Sequence, residues 1–170
     1  MSNEKKTPDR KPPGGNPLAK VRFEIPQADQ RDFESELVWA EFLGSNRYRL
    51  RNSPFAVFGF SCDDEVLAVE KDGAMVVAGI YLRGGHSTYR LSLAEGVDLG
   101  GSRFSEHWLP MERLGCTYEN ANSRLLSIDV PPSVDIYKAY SLLELGEKEG
   151  VWDFEEAHCG HPLRPMNGSN

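Results

Sequence analysis

The sequence has no apolar run near the roughly 20 residues that a bilayer-spanning helix needs. Its opening residues, Met1-Ser2-Asn3-Glu4-Lys5-Lys6, lead into no apolar stretch, so no secretory signal is expected. Cysteine is scarce: Cys62, Cys116 and Cys159. An odd, widely spaced set without an export signal argues against a disulfide framework and reads as reduced thiols of a cytoplasmic protein. Positive charge is also in deficit. Nineteen Lys and Arg face 26 Asp and Glu, for a net charge of −7. That balance opposes non-specific binding to nucleic acid or to an anionic membrane, since both require a basic surface. Gly14-Gly15 and Gly100-Gly101 stand in no phosphate-loop or dinucleotide-binding context. There is no Gly-x-Ser-x-Gly elbow and no paired Cys/His spacing of a structural zinc site.

What is present reads as an α+β chain with short tails. Residues 1–18 carry Pro8, Pro12, Pro13, Pro17, Gly14 and Gly15 with almost no apolar residues, and are expected to be a disordered tail. Residues 162–170 are expected to be a flexible C-terminal tail. Between them, residues 19–83 read as an all-β lobe. Val21, Phe23 and Ile25 alternate before Pro26. A strand over 36–43 turns at Gly44-Ser45-Asn46 into a strand over 47–51. The apolar run 55–60 reads either as a strand buried on both faces or as an irregular arch. Residues 63–71 and 74–82 form a hairpin about Asp72-Gly73. Short strands with tight turns predict a small barrel, SH3-like rather than OB-like.

Residues 84–161 read as strand, helix, strand, strand, helix, strand, the order of a ferredoxin-like βαββαβ lobe. The first helix is the weak link. Phe104, Trp108, Met111 and Leu114 stand at helical spacing, but Pro110 among them predicts a kink, or a short helix beginning at the proline. Ser133 reads as the N-cap of the second helix. Two lobes of this size, each marginal alone, are expected to share a hydrophobic interface.

A set of local sequences within residues 20–162 carries a family resemblance. They include Glu36-Leu37-Val38-Trp39-Ala40-Glu41, Arg47-Tyr48-Arg49-Leu50-Arg51-Asn52-Ser53-Pro54-Phe55 and Gly85-His86-Ser87-Thr88-Tyr89-Arg90. Leu114-Gly115-Cys116, Asp129-Val130-Pro131-Pro132 and Trp152-Asp153-Phe154-Glu155-Glu156 complete the set. As a set they resemble a bacterial family defined as domain of unknown function 4265. The resemblance implies a bacterial, soluble protein and supports the boundaries above. It assigns no activity, cofactor or catalytic residue.

Three groups of residues carry candidate chemistry. The closing strand of a ferredoxin-like sheet lies beside the opening one. That brings Glu155, Glu156, His158, Cys159 and His161 toward His86, a set with the ligand types of zinc or iron and the acid–base groups of a neutral-pH site. Solvated histidines at a strand end explain the same residues, and no cofactor or metal is expected. His86-Ser87-Thr88 places a hydroxyl beside an imidazole, but strand neighbours point to opposite faces, so His86 and Ser87 should diverge. Arg47, Arg49 and Arg51 share one strand face that could grip phosphates or an acidic partner, or could simply be solvated. The aromatics read mostly as core, because strand 125–130 carries none and carries Asp129 instead.

These readings favour a non-catalytic cytoplasmic protein that binds another protein. Its acidic balance suits a basic partner, and toxin neutralisation is one form this takes. A metal-dependent hydrolase built on His86, His158 and His161 is the enzymatic alternative. An RNA-binding or translation-linked adaptor is the third reading, on fold analogy alone.

Overall fold

A computed structural model describes residues 15–26 and 34–165. The fold is mixed α+β, with five strands in a closed barrel and four in a separate antiparallel sheet that carries two helices. Residues 1–14 of the expected N-terminal tail and 166–170 of the C-terminal one lie outside the described residues.

The barrel consists of β1 (Leu18–Glu24), β2 (Ser35–Gly44), β3 (Arg47–Leu50), β4 (Glu65–Lys71) and β5 (Ala74–Leu82). Leu18, assigned to the tail from sequence, already pairs with Glu41. Closure comes from β1 meeting β5 in parallel at Arg22–Val76. Asp72 and Gly73 both take positive φ, 51° and 75°, as a two-residue hairpin turn with strand-matched twist requires. Val21, Phe23, Val38, Ala40, Tyr48, Leu50, Val66 and Ala68 point inward, following the period-2 alternation of their strands.

The second sheet has the order β7-β8-β6-β9. Its strands are β6 (Ser87–Leu93), β7 (Thr117–Asn120), β8 (Leu125–Val130) and β9 (Trp152–His158). Helix α1 (Ser102–Leu114) runs through Pro110 without a break. The missing proline N–H costs one hydrogen bond to Glu106, and burial of Phe104, Trp108 and Met111 on one stripe holds the helix together. Gly115, at φ 105°, stops it. Helix α2 (Ile136–Lys148) is capped by Asp135, not Ser133: the Asp135 carboxylate accepts from the backbone N–H of Tyr137 and Lys138. An Asp–N–H bond at this position is charge-assisted, and the helix starts where that bond is available.

Trp152, 1% exposed, is the largest fully buried side chain among the described residues. It packs in the core under the two helices, with Phe154 at the edge of the same core.

The barrel and the sheet keep separate apolar cores. Their junction is polar, which corrects the expectation of a shared hydrophobic interface. The segment joining β3 to β4, residues 51–64, forms an irregular arch across the face of the sheet that carries no helices. Thr88, Arg90, Ser127 and Asp129 point to this face, because Tyr89, Leu91, Leu126 and Ile128 alternate with them toward the helices. Thr88 Oγ1 donates to Ser61 Oγ at 2.8 Å, and Ser127 Oγ donates to the Pro54 carbonyl at 3.0 Å. The Arg90 guanidinium donates to the Val57 carbonyl and lies 4.3 Å over the Phe58 ring. On the barrel side, Glu36 accepts from the N–H groups of Phe55 and Ala56 at 2.7 and 2.9 Å. These contacts satisfy the buried polar groups that make them, while the buried Ser53 Oγ of the arch has no hydrogen-bond partner among the described residues. No described helix is long and apolar enough to cross a membrane.

Candidate functional site

Arg47 and Arg49 of β3 and Arg51 just beyond it do not form an unopposed basic face. Tyr48 and Leu50 point into the barrel, so Arg47 and Arg49 point out. Arg49 pairs with Glu65 at 2.8 Å, and Arg51 pairs with Asp63 at 2.8 Å and Glu41 at 3.4 Å. Arg47 stacks on Tyr81, 5.0 Å from the ring centroid. Each of these cations meets acid or aromatic surface.

The histidine cluster divides. β9 extends to His158, which pairs with Thr88, so His158 belongs to the strand itself and not to the loop beyond it. The alternation at the start of β6 sends His86 and Ser87 to opposite faces, as the sequence implies. On the helix face, Ser87 Oγ lies 2.7 Å from His161 Nδ1 and accepts from the Gly160 N–H at 2.9 Å. His161 Nε2 donates to the Pro131 carbonyl at 3.0 Å, which leaves Nδ1 to accept the Ser87 proton. Ser87 is fully buried, so this Ser–His pair ties the chain end to the sheet and offers no nucleophile to solvent. Cys159 Sγ lies 3.7 Å from the same hydroxyl.

On the arch face, His86 Nδ1 lies 2.8 Å from Asp129 Oδ1, and Nε2 lies 3.3 Å from Asp63 Oδ2. Asp129 and then Asp63 raise the His86 pKa to about 9, by hydrogen bonding to the charged ring against the opposing effect of burial. Asp63, in turn, is held below the usual carboxylate range by His86 and Arg51. Cys62 Sγ completes the group, and one ligand atom from each of Cys62, His86 and Asp129 lies within 4.8 Å of the others. Burial, with Asp129, Asp63 and Glu119 adding negative charge, pushes the Cys62 thiol well up. Among the described residues this is the one convergence of three potential metal ligands. His86, His158 and His161 share no such point.

The remaining predicted residues serve the edge strand. Glu155 faces Arg90 at 3.4 Å, and Glu156 accepts from the Tyr89 hydroxyl at 3.1 Å. His158 has its pKa lowered by burial, then by the Arg83 guanidinium, and its Nε2 is buried without a hydrogen-bond partner. The sequence reading passed over Cys62, Asp63 and Asp129 as members of a site. The one available signal was Asp129, an acid on a strand that is otherwise almost wholly apolar.

Elsewhere, an apolar cleft of about 220 Å³ lies between β1, β5 and the arch, lined by Phe23, Ile25, Val57, Phe58 and Gly79 among others.

A family model described as Domain of unknown function (DUF4265) matches residues 36–154. The chain belongs to this family. The matched segment contains Cys62, Asp63, His86, Arg90 and Asp129 and ends before His158, Cys159 and His161. The solved structure titled "Novel crystal structure of a hypothetical protein from Neisseria gonorrhoeae" is similar in fold. It has a TM-score of 0.71 at 13% identity, over 85% of this chain and 97% of that one. No curated protein is significantly similar to the chain.

Proposed function

We propose that this protein is a non-catalytic protein-binding module that contacts its partner through the outer face of β4 and β5. The observation that carries the proposal is an exposed apolar strip on that face. Leu67 and Val69 of β4 and Tyr81 and Leu82 of β5 are all more than a third exposed, with Tyr81 at 53% and Leu82 at 58%. The ladder explains how they come together. Leu67 pairs with Gly79 and Glu65 with Leu82, and a bulge leaves Tyr81 unpaired between them. A bulge residue is re-aimed out of the ladder, and here its ring meets Arg47. An exposed tyrosine stacked with arginine beside aliphatic side chains is the composition of an interface centre. The net charge of −7 favours a basic partner through steering, as a toxin-neutralising protein would use.

The strand order β7-β8-β6-β9, with the helices on one face, supports reading the sheet as a ferredoxin-like unit. Five short strands closed by tight hairpins support reading the barrel as SH3-like.

The deciding experiment places a photo-crosslinking residue at Tyr81 in native cells and identifies the adducts, with and without Leu67→Asp. A specific protein adduct that Leu67→Asp removes is expected. Adducts unchanged by that substitution would reject this face.

A further inference from the structure

We infer that Cys62, His86 and Asp129 form a three-ligand site for one divalent transition metal of the zinc class, set where the barrel meets the sheet. The three residues come from separate elements. Cys62 lies on the arch, His86 immediately before β6, and Asp129 on β8. Their ligand atoms nonetheless lie within 4.8 Å of one another. Thiolate, imidazole and carboxylate together suit zinc, cobalt or iron. Magnesium and calcium take oxygen ligands, and a thiol works against them.

The spacing is close to what coordination needs. Ligands about 2.0–2.3 Å from one ion at tetrahedral angles stand roughly 3.3–3.6 Å apart. The His86–Asp129 contact, at 2.8 Å, has to open slightly, and no pair, all being within 4.8 Å, has to close by more than about an ångström. Both adjustments are within reach of side-chain rotation. Metal entry displaces the Cys62 S–H proton and the proton between His86 and Asp129 to solvent.

A second feature points the same way. A metal-bound histidine ordinarily gives its other ring N–H to a carboxylate, which fixes the ring and raises its basicity. Asp63 stands 3.3 Å from His86 Nε2 on the opposite edge of the ring from Asp129. Arg51 holds Asp63 in turn, at 2.8 Å. Asp63 adopts φ 62°, an unusual conformation for a residue other than glycine. The turn it makes sets Cys62 and Asp63, neighbours in sequence, at one imidazole. The expectation of no metal weighed His158, Cys159 and His161 with His86, whereas His86 stands here with Cys62 and Asp129. Three protein ligands leave a fourth position for water, and none of the three residues is fully buried.

The test uses the full chain, stripped with chelator and titrated with cobalt(II). One cobalt per chain is expected, with a near-ultraviolet thiolate-to-cobalt charge-transfer band that zinc abolishes. Cys62→Ser should remove the band, and Asp63→Asn should weaken binding roughly 10–100-fold. Should Cys62→Ser fold poorly, zinc should still protect Cys62 of the native chain from alkylation, mapped by mass spectrometry against Cys159. Absence of the band, its persistence in Cys62→Ser, or Cys62 alkylation at the same rate with zinc present would each overturn the site. The inference is independent of the binding face, and Tyr81→Ala should leave cobalt binding unchanged.

Discussion

The carbonyl oxygen of His86 occupies the space that a side chain on Gly160 would fill: a Cβ at Gly160 would lie 2.2 Å from it. No real Cβ tolerates that distance to backbone. The start of β6 and the segment leaving β9 therefore approach each other at a point only glycine can occupy. Gly160→Ala is expected to displace the chain end and break the Ser87–His161 bond. A loss of thermal stability, with NMR shifts confined to residues near Ser87 and His161, would show it.

Gly146 sits under Trp152 in the same way, on helix α2. A Cβ there would lie 2.2 Å from the indole ring. Alanine normally favours a helix interior over glycine by about 1 kcal/mol. Here overpacking, typically about 1–3 kcal/mol, opposes and outweighs that gain, so Gly146→Ala should lower stability. Trp152→Ala alone should cost roughly 3–5 kcal/mol. Denaturant melts of the double variant should show less than the summed loss, because the two changes meet in one space.

Arg90 is 7% exposed and holds the arch through the Val57 carbonyl and the Phe58 ring. Arg90→Ala should cost about 1–3 kcal/mol by stranding the buried Val57 carbonyl. Lysine should rescue little, since it lacks the planar face and fork that make both contacts. Hydrogen exchange should quicken at Gly59, whose N–H donates to Ala157, ahead of the helices.

His161 is buried and hydrogen-bonded through both ring nitrogens, where the sequence also allows a solvated strand-end histidine. His161→Ala leaves Ser87 Oγ and the Pro131 carbonyl short of a partner. Each buried group stranded in this way costs about 1–3 kcal/mol. A melting temperature unchanged from wild type would refute the assignment.

The pH dependence at the edge strand follows from His158. Its folded pKa is lowered by burial and by Arg83, so the unfolded chain binds the proton more readily. The contribution to stability is present above the ordinary histidine pKa of about 6.5 and is lost as pH falls below it. Wild type should therefore lose more stability than His158→Leu between neutral pH and pH of about 5. Equal losses in paired thermal melts would contradict this.

Much of the fold is local information. Alternation in Val21-Arg22-Phe23 and in Tyr89-Arg90-Leu91 marks strands, Asp72-Gly73 marks the hairpin turn, and Gly115 marks the end of α1. All of these act through nearest neighbours and the two periods of the backbone, so they are visible in one sequence. Helix α1 continuing through Pro110 is not visible there, because burial of Trp108 and Met111 against the sheet decides it. The site depended still more on tertiary structure. Thr88, Arg90, Ser127 and Asp129 stand in the sequence only as polar positions alternating with apolar ones, and polarity alone cannot distinguish water from a hydrogen-bonding arch. The arch over residues 51–64 has no periodicity, and its course is set by contacts with Glu36, Arg90 and Ser127 far away in sequence. The sequence does determine that His86 and Ser87 diverge. That His86 meets Cys62, Asp63 and Asp129, while Ser87 meets His161, depends on which chain segments cover each face of the sheet, and only the packing of the barrel on that sheet decides it.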